Sequence, residues 1–117
     1  MNNINVVVDV PDEFLADILA TAFEGGSNYW LDRVVIKDPT ETPPIPCYKS
    51  DIISVGGTLE IYDDERVVKD PILTRERLLN AIEWYIGING LGVLDDHDAQ
   101  DSDTILQYAL FGEVVYG

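Results

Sequence analysis

The chain has 117 residues, a length typical of one compact domain and too short for two. Hydrophobic residues make up 46% of it, which argues against an acidic disordered tail, yet 22 Asp and Glu against 7 Lys and Arg give a formal net charge of −15. A charge of that sign repels phosphate backbones and anionic lipids, so we expect neither direct nucleic-acid binding nor membrane binding.

The chain carries no signal for a membrane or an oxidising compartment. Cys47 is the only cysteine, so no internal disulfide can form. The first five residues lack the basic start and apolar run of a secretory signal, and no apolar stretch approaches the ~20 residues that span a bilayer. These features predict a cytoplasmic protein.

The first part of the chain predicts a strand, a helix and a second extended segment. Residues 4–10 (INVVVDV) are β-branched and predict a strand. From Pro11, apolar residues recur at helical spacing and predict a helix that ends at Gly25–Gly26. Residues 30–37 then look extended, and residues 38–50, with four of the six prolines, predict a loop.

The middle of the chain predicts three short antiparallel strands. The glycine pair at 56–57 favours a hairpin turn between strands 51–55 and 58–62. Acidic residues 63–65 can form a second turn into a strand at 66–69. Apolar and polar residues alternate along 58–62, so one face of this sheet should be buried.

Two helices are predicted in the remaining third. Thr74 can cap a helix that runs to Tyr85 or Ile86 and is interrupted by Gly87. The last helix should begin near Asp98 and end before Gly112. The elements together predict one α+β domain over residues 1–117, a small, mostly antiparallel sheet packed by about three helices.

Segment 24–30 (EGGSNYW) concentrates polar and aromatic groups at the exit of the first helix. Its glycines admit a ligand or another backbone, the Asn28 amide both donates and accepts, and Tyr29 or Trp30 could stack on a planar ring. A helix end followed by core aromatics is the alternative.

The last helix raises a similar question at two polar positions. Gln107 lies within an otherwise apolar helix, and Glu113 follows its negative end. Each either binds protein groups, with Arg33 as one partner for Glu113, or faces a ligand. The predicted ligand-binding residues are therefore Gly25, Gly26, Ser27, Asn28, Tyr29, Trp30, Gln107 and Glu113.

A second set of residues suggests a surface for a partner protein. Trp84 falls on the same helical face as Arg77 and Asn80, so we expect it to be partly exposed, as interface tryptophans are. Coverage by a neighbouring segment is the alternative. With the acidic run 95–103, the predicted partner-binding residues are Arg77, Asn80, Trp84, Asp95, Asp96, Asp98 and Asp101.

Catalytic and metal sites find little support. A calcium loop of the EF-hand type needs a glycine at its sixth position and a carboxylate at its twelfth. Counted from Asp96, these positions hold Asp101 and Gln107, so the motif is absent. His97, the only histidine, lies in a segment expected to be an exposed loop. We therefore predict no metal, no cofactor and no catalytic residue, and favour a protein that is not an enzyme.

The last helix also bears on self-association. Its residues 104–112 are apolar in nearly every direction, and the chain continues with Val, Val and Tyr at 114–116. Such a helix is buried by its neighbours or by a second copy. We predict a homo-oligomer on this basis.

Two segments, EGGSNYW at 24–30 and DAQDSDTILQYALFGEVVYG at 98–117, resemble a family of small phage and prophage proteins. The likeness is a Gly-Gly followed by Asn-Tyr-Trp and a C-terminal Gln…Phe-Gly-Glu…Tyr-Gly pattern, and it covers these segments alone. It implies a mobile-element setting, in which small proteins often bind and inactivate a host defence component. It names no target and no activity.

Two functions fit these features. The first, which we favour, is sequestration of a small planar, nucleotide-derived host immune signal between segment 24–30 and the last helix. Its phosphates would need donors from Arg33, Arg66, Arg75, Arg77 or the amides of Gly25 and Gly26. The alternative is an acidic anti-CRISPR or anti-restriction inhibitor that mimics DNA and occupies the basic cleft of a host nuclease, which the net charge favours.

Overall fold

Three successive strands follow the first helix and precede the other two in the part of the chain that the computed structural model describes, namely Asn2, Ile4 and residues 6–38 and 48–117. Within these residues the structure has three α-helices and a three-stranded antiparallel sheet, which confirms the predicted α+β class. In chain order the elements are α1 (Asp12–Thr21), β1 (Leu31–Asp38), β2 (Thr58–Asp63), β3 (Ile72–Leu73), α2 (Arg75–Asn89) and α3 (Ala99–Phe111).

Helix α1 forms where the apolar spacing predicts it. Its inward face buries Phe14, Leu15, Ile18 and Leu19, and acidic residues in the first turn complement the positive end of the helix. The helix continues through one π-helical turn, Ala22–Gly26, and ends at the predicted glycines.

The sheet has the order β1-β2-β3. Strand β1 pairs with β2 from Leu31 opposite Asp63 to Asp38 opposite Thr58, and Leu59 of β2 lies opposite Leu73 of β3. Along β2, buried and half-buried residues alternate as predicted.

Three predicted strands are wrong. Residues 6–10, like Ile4, have no regular secondary structure, and Ile4 and Val7 are almost fully exposed. Segment 51–55 forms turns after a 3-10 helix at Lys49–Asp51, and its adjacent residues Ile52 and Ile53 are both fully buried, whereas a strand with one face toward water would bury alternate residues.

The third wrong strand, 66–69, is irregular, and β3 lies a few residues further on. The antiparallel partner of β2 is β1, and not the predicted segment 51–55. Gly56 does turn the chain before β2, with a φ of +92°. Most of the predicted loop, residues 39–47 with Cys47, lies outside the described residues.

Both later helices carry the predicted caps. The Thr74 hydroxyl accepts a hydrogen bond from the Arg77 amide at 3.2 Å, and α2 extends through Gly87, which was predicted to interrupt it. Asp98 and Asp101 form a reciprocal capping box at the start of α3, and Gly112 ends that helix in the left-handed conformation.

One hydrophobic cluster joins the helices and the inner face of the sheet. Helix α3 contributes Ile105, Leu106 and Leu110 to it and packs on α2, so the chain itself covers most of this helix. The apolar surface of the last helix therefore no longer argues for a second copy of the chain. Self-association stays a prediction, which sedimentation at micromolar concentration would test. Among the residues described, none of the helices has the length and apolar character needed to cross a membrane.

Candidate functional site

Segment 24–30 joins α1 to β1 and is tied to α3 by one buried carboxylate, Asp103. Its Oδ1 accepts hydrogen bonds from Ser27 Oγ at 2.8 Å and Trp30 Nε1 at 2.7 Å. Its Oδ2 accepts from the Tyr29 hydroxyl at 2.6 Å and from Gln107 Nε2 at 3.1 Å. We call these five residues the Asp103 network. All four acceptor positions of the carboxylate are occupied by protein donors.

Gln107 also holds the C-terminal segment. Its Oε1 accepts from the amides of Val115 and Tyr116 at 2.9 and 2.7 Å, and its Nε2 donates to the Tyr116 carbonyl at 2.9 Å. The Tyr116 ring stacks on Trp30, with 5.5 Å between the ring centres. Protein groups therefore satisfy Gln107, Ser27 and Trp30, which is the alternative to ligand binding that the sequence left open.

The two glycines of the segment differ in role. A Cβ on Gly26 would lie 2.6 Å from the Ala99 carbonyl oxygen, whereas a Cβ on Gly25 would meet nothing within 4 Å. Gly26 thus admits the backbone of α3, and only Gly25 leaves open space beside it.

A cavity of about 440 Å³ lies where the sequence placed the ligand, between segment 24–30 and α3. Gly25, Gly26, Tyr29, Asp103 and Tyr116 are among its walls. Of the described residues that line it, none is a lysine or an arginine. The Asp103 carboxylate in its wall opposes a phosphate group, so this cavity is a poor match for a nucleotide.

A second cavity, of about 460 Å³, lies on the other side of the segment, beside the start of β1. We call it the Asn28 cavity. It brings together an amide, two aromatic rings and two charges of each sign: Phe23, Glu24, Asn28, Asp32, Arg33, Tyr48 and Lys49. Arg33 and Lys49 come from β1 and from the 3-10 helix that follows the undescribed residues.

The two cations of this cavity are held by neighbouring groups. The guanidinium carbon of Arg33 lies 4.9 Å from the centre of the Tyr62 ring, and Lys49 Nζ donates to the Val34 carbonyl at 2.7 Å. Arg33 was among the predicted phosphate donors, whereas Lys49 was not, since no local pattern links position 49 to β1.

The other predicted phosphate donors are engaged elsewhere. Arg66 pairs with Asp32 at 2.8 Å, Arg75 pairs with Asp12, and Arg77 donates to backbone carbonyls, among them Leu110 at 3.0 Å.

Glu113 lies apart from both cavities. Its side chain is exposed after Gly112 and lines a smaller cavity, of about 260 Å³, that also includes Lys69. Arg33, proposed as its partner, packs on Tyr62 instead.

The predicted partner surface divides into two parts. Trp84 is half-buried, which confirms its expected partial exposure, and stacks on Tyr108 with 4.0 Å between ring centres. Asn80 is exposed beside it, whereas the guanidinium of Arg77 is bound to backbone carbonyls.

The acidic residues form the second part. Asp95 and Asp96 are exposed, whereas Asp98 and Asp101 cap α3. The His97 ring contacts the Phe14 ring edge-on at 5.5 Å, so this acidic segment lies beside the first turns of α1.

Besides Tyr62, which donates to Glu60, three tyrosines donate hydrogen bonds to carboxylates: Tyr29 to Asp103, Tyr85 to Asp101 and Tyr116 to Asp63. Burial, and then the carboxylate that accepts each hydrogen bond, raises the pKa of all three to about 12.

The carboxyl group of Asp63 shows the opposite balance. Burial acts to raise its pKa, but hydrogen bonds from Tyr116 and from the amides of Val67 and Val68 outweigh burial and lower it.

The raised tyrosine pKa values predict loss of stability in alkali. Below pH 10, the ordinary tyrosine pKa, both folded and unfolded chains keep these protons and stability is complete. Between pH 10 and about 12 the unfolded chain loses them first, so the free energy of unfolding should fall. Urea unfolding at pH 9, 10.5 and 12 measures this, and Tyr116→Phe should reduce the fall. A urea midpoint that stays constant to pH 12 would contradict it.

Across the residues that the structure describes, no three His, Cys, Asp or Glu side chains are grouped to hold a metal ion. The fold and cavities define a small acidic α+β domain. No protein-family model matches the chain, and neither a curated protein nor a solved structure matches it. The resemblance to phage proteins therefore stays a prediction.

Proposed function

We propose that this protein is a non-enzymatic binding protein that sequesters a small, planar, phosphate-bearing ligand of the nucleotide class in the Asn28 cavity. One observation carries the proposal: a single cavity beside segment 24–30 unites Asn28 with the cations Arg33 and Lys49. Its volume of about 460 Å³ is within the ~300–1,000 Å³ range of small-molecule sites.

Each group in the cavity suits one part of such a ligand. The exposed Asn28 amide can donate to and accept from the edge of a base, and Phe23 and Tyr48 offer rings for stacking. Arg33 and Lys49 offer donors for phosphate oxygens, which a chain of net charge −15 needs locally.

The Asp103 network supports the proposal by making the cavity rigid. Ser27 and Tyr29, on either side of Asn28, both donate to Asp103, and Trp30 is fixed by the same carboxylate. The Asn28 backbone is therefore held in place before a ligand arrives, which reduces the entropy lost on binding.

The biological setting comes from the resemblance to phage proteins. In that setting the ligand is a nucleotide-derived immune signal in the cytoplasm of the host, and binding removes the signal from its receptor. Turnover is not needed for this, since a protein made in excess lowers the free concentration of the signal by mass action.

Calorimetric titration with ADP and adenosine tests the site. We expect ADP to bind more tightly than adenosine, and Arg33→Ala or Lys49→Ala to weaken ADP binding at least about tenfold, because each removes a charged hydrogen-bond donor. Asn28→Ala should weaken both ligands. The matched controls are Lys69→Ala and Asn80→Ala, which remove an exposed lysine and an exposed asparagine outside the cavity.

Equal effects of the site and control variants, or failure of the wild-type protein to bind any nucleotide, would reject the proposal. If ADP does bind as expected, mass spectrometry of small molecules released from protein expressed with active host defence systems would identify the natural ligand.

The acidic inhibitor is the second candidate, and one observation favours it. The contact between His97 and Phe14 places Asp95 and Asp96 beside α1, where Glu13 and Asp17 are also exposed. None of these four carboxylates takes part in an ion pair with another described residue. Co-purification of a host nuclease, with no nucleotide released, would favour this candidate over the first.

A further inference from the structure

An apolar groove of about 540 Å³ runs between the N-terminal segment and α2, away from the Asn28 cavity. We call it the α2 groove. Alternate residues of the extended segment form one wall, and residues spaced three and four apart on the helix form the other: Val6, Val8 and Val10, then Leu79, Ile82 and Ile86.

The groove leaves apolar surface open to solvent. Val6 is 69% exposed, and Leu91, which lines the groove beyond the end of α2, is 51% exposed. Clustered exposed apolar side chains of this kind mark interaction sites, whereas single ones do not.

The charge around the groove is negative. Glu83 lines it. The described groove residues include neither lysine nor arginine. An occupant must therefore offer apolar groups flanked by positive charge. The net charge of −15 repels the two other occupants of an apolar groove, anionic lipid and a second copy of this chain.

We propose that the α2 groove binds a basic amphipathic helix of a partner protein. From Leu79 to Ile86 the wall spans about two helical turns, roughly 10 Å. This length matches the i, i+3, i+4, i+7 anchors with which an amphipathic helix docks into a groove. Lysine or arginine next to those anchors would meet Glu83. This site is independent of the nucleotide site proposed above.

Fluorescence anisotropy with three labelled peptides in 0.15 M salt tests the proposal. The first is an amphipathic leucine–lysine helix, the second has the same composition in scrambled order, and the third replaces lysine with glutamate. We expect the amphipathic basic peptide to bind at least about tenfold more tightly than the scrambled one, and the acidic peptide to show no binding.

Gly87 provides a matched pair of variants, because it lines the groove and a Cβ there would meet nothing within 4 Å. Gly87→Phe fills the groove and should weaken the amphipathic peptide at least about tenfold, whereas Gly87→Ala should change its affinity less than about twofold. If Gly87→Phe does not fold, Glu83→Arg should weaken the peptide and Glu76→Arg, exposed on the same helix but outside the groove, should not.

Three results would overturn the proposal. Equal binding of the amphipathic and scrambled peptides would mean that charge alone attracts them. Equal binding to Gly87→Phe and Gly87→Ala, both folded by circular dichroism, would place the peptide elsewhere. Sedimentation that shows a dimer abolished by Gly87→Phe would assign the groove to a second copy.

Discussion

Replacing Asp103 with alanine should lower the free energy of unfolding by about 3 kcal/mol. The substitution leaves Ser27 Oγ and Trp30 Nε1 without an acceptor, and both residues are at most 1% exposed. An unpaired buried donor costs about 1–3 kcal/mol. Tyr29 is half-exposed and can turn to water, and Gln107 keeps its bonds to Tyr116, so these two add less.

Urea unfolding of two further variants distinguishes the loss of the hydrogen bonds to Asp103 from the loss of its negative charge. Asp103→Asn keeps one acceptor oxygen and should lose less stability than the alanine variant. Asp96→Ala removes an exposed carboxylate one loop away and should stay within about 0.5 kcal/mol of the wild type. If Asp103→Ala were as stable as Asp96→Ala, the hydrogen bonds to Asp103 would contribute nothing to folding.

Gly26→Ala should lower the free energy of unfolding by about 2–3 kcal/mol, whereas Gly25→Ala should leave it within about 0.5 kcal/mol. The new methyl at Gly26 would lie 2.6 Å from the Ala99 carbonyl oxygen, which belongs to the backbone of α3 and cannot rotate away. The methyl at Gly25 would point into open space.

This neighbouring pair makes the comparison sharp, because composition, charge and local helix propensity change equally in both variants. Thermal or urea unfolding measures it directly. Similar stability of the two variants would mean that α3 does not pack against the π-helical turn as closely as the contact requires.

These two predictions divide segment 24–30 into a structural part and a binding part. Gly26, Ser27 and Trp30 should affect stability when changed, because each contacts α3. Asn28→Ala should leave stability unchanged and weaken ligand, because its side chain is exposed toward a cavity. The same seven residues can thus serve both of the roles that their composition suggested.

The sequence by itself determined the three helices and most of their ends. The Thr74 cap, the capping box of Asp98 and Asp101 and the left-handed Gly112 act within three or four residues, so a local pattern contains them. Strand β2 was also readable, since its alternation lies in six consecutive residues. Gly87, near the C-terminal end of α2, was wrongly predicted to end that helix. The packing of α2 outweighs the low helix propensity of a single glycine.

Only the tertiary structure decided which segments pair and which side chains meet. Ile4 and residues 6–10 have the composition of a strand but pair with none of the described strands. Strand β2 pairs with β1, across residues 39–57, and not with the nearer segment 51–55, in which the adjacent Ile52 and Ile53 are both buried. Tyr29 and Asp103 are 74 positions apart, and Lys49 reaches Val34 from the far side of the prolines. Pairings over such distances depend on how the core closes, which no local pattern records.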